Sequence, residues 1–152
     1  KMNNGKLVFT LSGLLFFAWL FIPCSLSAQT DQLPGVIEEK MADGIPYMSG
    51  GIGLGERKDL RQMEKKYNLK LVFALDDGKY LALVDVLIED ASGNKLLEAT
   101  SQGPWFYAKL PEGTYSVTAT TMQGKTKKRQ VQVGRQDRKE VTFTWPRENI
   151  EQ

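Results

Sequence analysis

A mainly β fold, two packed sheets preceded by one short helix, follows from three features of the sequence. Beyond residue 68 apolar side chains recur at every second position, the period of a strand with one buried face. Turn residues close those segments at intervals of roughly ten residues, the spacing typical of sandwiches. Only residues 56–67 carry a helical period. Because a single sheet would leave its apolar face in water, two sheets are expected to pack face to face.

The chain has 152 residues, of which 41% are hydrophobic and 25% charged, a composition that supports one globular domain. Residues 1–28 read as a secretory signal. Lys1 and Lys6 form its basic start, residues 7–22 an apolar run (LVFTLSGLLFFAWLFI), and residues 23–28 a proline break with small side chains. Cleavage is expected after Ser27 or Ala28; if the signal stayed uncleaved it would be the chain's one attachment to a membrane. Basic residues outnumber acidic ones 20 to 18, and the signal's two lysines account for the excess. The exported domain is therefore expected to be neutral, which does not argue for nucleic acid or an anionic surface as an obligatory partner.

The missing residue types narrow the chemistry. There is no histidine, and the one cysteine, Cys24, lies within the signal. Histidine bases, thiol nucleophiles, structural zinc and internal disulfides are all excluded after processing. No cofactor, catalytic residue or metal ligand is assigned.

Residues 29–55 hold prolines and glycines, end in the run GGIGLG, and lack a periodic apolar face; they read as an extended arm. In residues 56–67 (ERKDLRQMEKKY), Leu60, Met63 and Tyr67 fall on one helical face, with Glu56 at the start and Lys65 and Lys66 in the last turn, as the helix dipole favours. Asn68 is a candidate left-handed cap. The sandwich spans residues 69–146 with seven strands, expected at 69–75, 82–89, 95–100, 104–110, 114–121, 126–133 and 138–145. Inward positions read as Val84, Val86 and Ile88; Tyr115, Val117 and Ala119; Val131 and Val133; and Val141, Phe143 and Trp145.

Residues 103–117 (GPWFYAKLPEGTYSV) carry a glycine, aromatics two apart, then Leu-Pro-x-Gly-x-Tyr. That pattern resembles the carboxypeptidase regulatory-like domain, a β-sandwich of transthyretin-like topology. The resemblance implies a seven-stranded fold with Trp105, Tyr107, Leu110 and Tyr115 in the core and Phe106 outside. Family members often place acids just before the glycine; Thr100, Ser101 and Gln102 stand there instead, so no cation site is carried over. The fold also hosts a purine-pathway hydrolase whose catalytic histidines have no counterpart here.

Several loops invite sharper readings. The GGIGLG run could cradle an anion at a helix start, but no strand is expected before it and no Gly-Lys-Ser/Thr follows. Asp76, Asp77, Glu89, Asp90, Ser92 and Asn94 offer oxygen ligands in turns without the spacing of a calcium loop. Turn-borne acids also lack the apolar shielding that would raise a general acid's pKa for glycoside hydrolysis. Lys125, Lys127, Lys128, Arg129, Arg135, Arg138 and Lys139 gather on the sixth and seventh strands, where lysines commonly guard an edge.

The leading expectation is a non-catalytic, exported module, periplasmic or secreted, that binds an envelope or extracellular protein. The alternative is a carbohydrate-binding module stacking sugars on exposed aromatics, with Phe106, Tyr80 and Trp145 as candidates and Trp145 assigned to the core by alternation. The expected contact surface comprises Phe106, Tyr80, Lys127 and Arg129.

Overall fold

The computed structural model describes residues 37–135 and 137–149. The signal helix expected over residues 1–28 lies outside them. The described chain contains nine strands and one α-helix: β1 (Lys40–Ala42), β2 (Ile45–Gly50), α1 (Leu54–Met63), β3 (Leu69–Leu75), β4 (Val84–Glu89), β5 (Lys95–Ser101), β6 (Trp105–Ala108), β7 (Gly113–Thr120), β8 (Thr126–Val133) and β9 (Lys139–Trp145). A single 3-10 turn, Glu64–Lys66, prolongs α1.

The fold is mainly β, as expected. A five-stranded sheet ordered β1-β2-β6-β3-β9 packs on a four-stranded sheet ordered β5-β4-β7-β8. All seven expected strands are present, β3 and β8 with the expected bounds. Between the sheets lie Leu69, Leu71, Phe73, Val84, Val86, Ile88, Tyr115, Val117, Ala119, Val131, Val133, Val141, Phe143 and Trp145, including every position that alternation placed inward. At the Leu110 corner the Tyr115 hydroxyl donates to the Pro111 carbonyl at 2.7 Å, bracing the turn that feeds β7.

Two expectations are corrected. The arm at 29–55 is no arm over its second half. Asp43 and Gly44 both take positive φ, 49° and 83°, the signature of a two-residue hairpin turn, and β1 and β2 flank it. β2 then pairs with β6 from Tyr47 opposite Ala108 to Gly50 opposite Trp105, and Met48 is fully buried.

The second correction concerns the face of β6. Phe106 is 0% exposed and lies in the core between the sheets, stacked on Tyr47 with ring centroids 5.2 Å apart. Trp105 and Tyr107 point the other way, into a second apolar layer with Met48, Leu60, Tyr67 and Val72. Both faces are dry because α1 and its 3-10 turn lie across the outer face of the larger sheet, supplying Leu60 and leading into Tyr67. Alternation distinguishes two faces but not which faces are covered.

Asn68 pins the end of the sandwich where α1 turns into β3. Its side-chain amide donates to the carbonyls of Leu110 and Gly134 at 2.7 and 3.1 Å, and its oxygen accepts from the Leu110 amide at 2.9 Å. Three chain segments are thereby fixed by one side chain.

Candidate functional site

The glycine run leads from β2 into α1 and binds an anion of its own. Glu56, in the first turn of α1, accepts from the amides of Gly51 and Ile52, both at 2.9 Å on the same carboxylate oxygen. The cradle that a phosphate would need is filled by a carboxylate, which also suits the positive end of the helix dipole. Glycine is required here for space as well. A β-carbon on Gly51, whose φ is 94°, would sit 3.3 Å from the Trp105 ring, and one on Gly103 would meet the Gly50 carbonyl oxygen at 2.4 Å.

Cations crowd the same corner. The Arg57 guanidinium donates to the Gly51 carbonyl at 2.6 Å and lies 4.8 Å from the Tyr80 ring centroid. Arg61 and Lys70 lie over Trp105 at 5.5 and 4.7 Å, and Lys70 also pairs with Glu140 at 3.0 Å. Contacts of this kind contribute on the order of 1 kcal/mol each, and together they fasten α1 to β3 and β6.

The turn acids are engaged locally. Asp90 accepts from the amides of Ser92 and Asn94 and from the Asn94 side chain at 2.8 to 2.9 Å, and the Asn94 bonds hold its carboxyl below the ordinary aspartate value. Asp77 accepts from the Lys79 amide at 3.1 Å and pairs with Arg147 at 3.3 Å. Among the described residues no three histidine, cysteine, aspartate or glutamate side chains converge in a way that could hold a metal ion.

The four expected contact residues do not come together. Phe106 is buried, so it cannot be a contact residue. Tyr80 is half exposed, with Arg57 over its ring. Lys127 and Arg129 stand opposite Ala119 and Val117 on β7, which places them on the inward side of β8, at the open margin between the sheets. Arg129 reaches across to within 5.7 Å of the Phe143 ring on β9. Of the wider basic group three are ion-paired: Lys128 with Glu89, Arg135 with Glu112, and Arg138 with Glu64. A cleft of about 560 Å³ near the Arg135–Glu112 pair is lined by Asn68, Lys109, Leu110 and Pro111.

Sequence reasoning missed a different surface. Strand directions bring the ends of β2, β3, β5, β7 and β9 to one end of the sandwich together with the starts of β4, β6 and β8. In the loops there and at the first residue of α1, Leu54 is 84% exposed, Met122 72% and Ile52 65%, and Tyr80 and Leu83 are also exposed. Leu83 has φ 56°, a left-handed conformation that disfavours a branched side chain. Its amide donates to the Ser101 carbonyl at 2.9 Å, which holds the strained residue in place.

No protein-family model matches the chain, and no curated protein matches it. One solved structure with similarity to it is a variant of the major pilin subunit of Bacillus cereus, 14% identical with a TM-score of 0.37. That match covers 51% of this chain and 28% of the pilin chain.

Proposed function

We propose that the chain is a non-catalytic, exported β-sandwich module of the carboxypeptidase regulatory-like kind, working through protein contacts in the bacterial envelope or outside the cell. The observation that carries this reading is the loop end, where Ile52, Leu54, Tyr80, Leu83 and Met122 are all exposed. Apolar side chains scattered singly over a surface need no explanation, but a set of them on loops at one end of a rigid scaffold is what a binding surface requires. Leu83 adds to this, because a strained, exposed leucine gains nothing from its own fold.

The test is a photo-cross-linking residue placed at position 54 in the exporting cell, with one at Thr118, on the polar outer face of β7, as the control. A discrete protein adduct from position 54 that is absent from 118, and absent again when Ile52→Glu is added, is the expected result. Adducts of equal yield at both positions, or none, would overturn the reading. The carbohydrate alternative rests on Tyr80 alone, since Phe106 and Trp145 are buried. A flat fluorescence response to a panel of polysaccharides removes it.

A further inference from the structure

Two sheets leave four edges, and three of them are guarded. β1 is only three residues long. β5 lies next to an irregularity in its pairing at Ile88/Glu89, opens with Lys95, and is tied to β2 through the bond from the Gln102 amide to the Ser49 hydroxyl at 3.1 Å. β8 carries Lys127, Lys128 and Arg129, two of them on its inward side. Short length, irregular pairing and inward-facing charge are the usual protections of a strand edge.

β9 has none of them over residues 141–145. That stretch, VTFTW, holds no charge, proline or glycine, and its pairing with β3 is unbroken. The direction of its free hydrogen-bonding groups is fixed by the ladder. The Lys139 amide donates to the Asn68 carbonyl at 2.8 Å, and the Asp76 amide donates to the Trp145 carbonyl at 3.0 Å. Because alternate residues of a parallel strand bond to one neighbour, residues 139, 141, 143 and 145 face β3. The backbone groups of Glu140, Thr142 and Thr144 point to the open edge, and among the described residues no strand pairs with it.

We propose that this edge accepts an extended, acidic segment of a partner protein as an added strand. The inference rests on the reading of the chain as a protein-binding module, but it concerns a surface separate from the loop end. Main-chain bonds from Thr142 and Thr144 supply affinity in strand addition, and flanking side chains supply selectivity. The flanking side chains here are cationic: Arg129 reaches β9, and Lys127 shares its face of β8. Neither forms an ion pair among the described residues. Carboxylates on the added strand would meet them. A second copy of the chain is the poorer occupant, since pairing β9 with itself would bring two sets of Lys127 and Arg129 together.

The test uses the full chain and a blocked peptide of alternating Glu and Val matching the seven residues of β9, with a Lys and Val peptide as its control. Saturable binding of the acidic peptide, weakened in about 0.5 M salt, is expected, together with slowed amide exchange at Thr142 and Thr144. Thr142→Pro removes a donor that faces only the open edge, a position where proline is tolerated, and should weaken binding about tenfold or more. Arg129→Glu, which leaves the backbone alone, should do the same and covers the case in which the proline variant fails to fold. Failure of the acidic peptide to bind, equal binding to Thr142→Pro, or equal binding of the Lys and Val peptide overturns the proposal. So does a concentration-dependent dimer abolished by Thr142→Pro, since a second copy would then be the occupant. A position-54 adduct found alongside a failed peptide titration would sink the edge site and leave the binding module standing.

Discussion

At the scale of single residues, the neighbours Trp105 and Phe106 show how far alternation carries an argument. It separates their faces correctly, but the expected core set of Trp105, Tyr107 and Leu110 is split: Leu110 lies with Phe106 in the inter-sheet core, while Trp105 and Tyr107 lie in the outer layer. What it could not show is that the other face is dry as well. A cue was present in β3, whose residues 71–75 (LVFAL) are apolar without interruption, the mark of a strand covered on both sides. Phe106→Ala and Trp105→Ala should therefore both be costly, each by about 3–5 kcal/mol from lost transfer energy and a cavity. Chemical denaturation reads the two losses, and a near-neutral Phe106→Ala would mean that the ring is not enclosed as described. A second prediction concerns Tyr67 and Tyr107, whose hydroxyls donate to Glu39 and Glu64. Burial, reinforced by those carboxylates, raises both above the ordinary tyrosine value of 10.0. The folded chain then keeps protons that the unfolded chain gives up. Stability should hold below about pH 10 and fall as the pH climbs further, with unfolding at fixed denaturant as the measurement and a flat profile as the contrary result.

Among the elements, strands with an apolar period of two were legible almost to the residue, whereas the hairpin of β1 and β2 was not. Its strands are only three and six residues long and Pro46 interrupts the second, so no run of alternation is long enough to read over it. The turn itself was the available signal: Asp-Gly between short segments is the strongest local sign of a hairpin, and here it outweighs the proline because Pro46 still contributes its carbonyl, accepting from the Lys109 amide at 3.0 Å. The consequence for truncation is direct. Removing residues 29–50 strips β6 of its neighbour β2 and takes Met48 from the outer layer. The deletion should abolish cooperative folding or lower the melting temperature sharply, since it uncovers both a strand edge and apolar surface. Circular dichroism during heating decides this, and an unchanged transition would show that β2 contributes no stability.

For the whole molecule, what stayed hidden in the sequence was the partition of strands between sheets, because pairing depends on contacts far apart along the chain. The parallel pairing of β3 with β9 joins Leu69 to Lys139 and Leu75 to Trp145, and no local pattern announces it. That arrangement has a thermodynamic consequence. The two apolar layers are not independent, since β6 sends Phe106 into one and Trp105 into the other, while β3 sends Phe73 and Val72 likewise. Opening either layer exposes a strand that the other needs. Asn68 couples them further by tying the start of β3 to the carbonyls of Leu110 and Gly134. A domain linked in this way should unfold in one step, as small single domains usually do. Trp105 and Trp145 report on the two layers separately, so variants retaining only one of them as a probe should give coincident denaturation midpoints after correction for the stability each substitution removes. If the Trp105 signal were lost at clearly lower denaturant than the Trp145 signal, α1 and its layer would be a separate unit of lower stability, able to lift from the larger sheet while the sandwich stays folded.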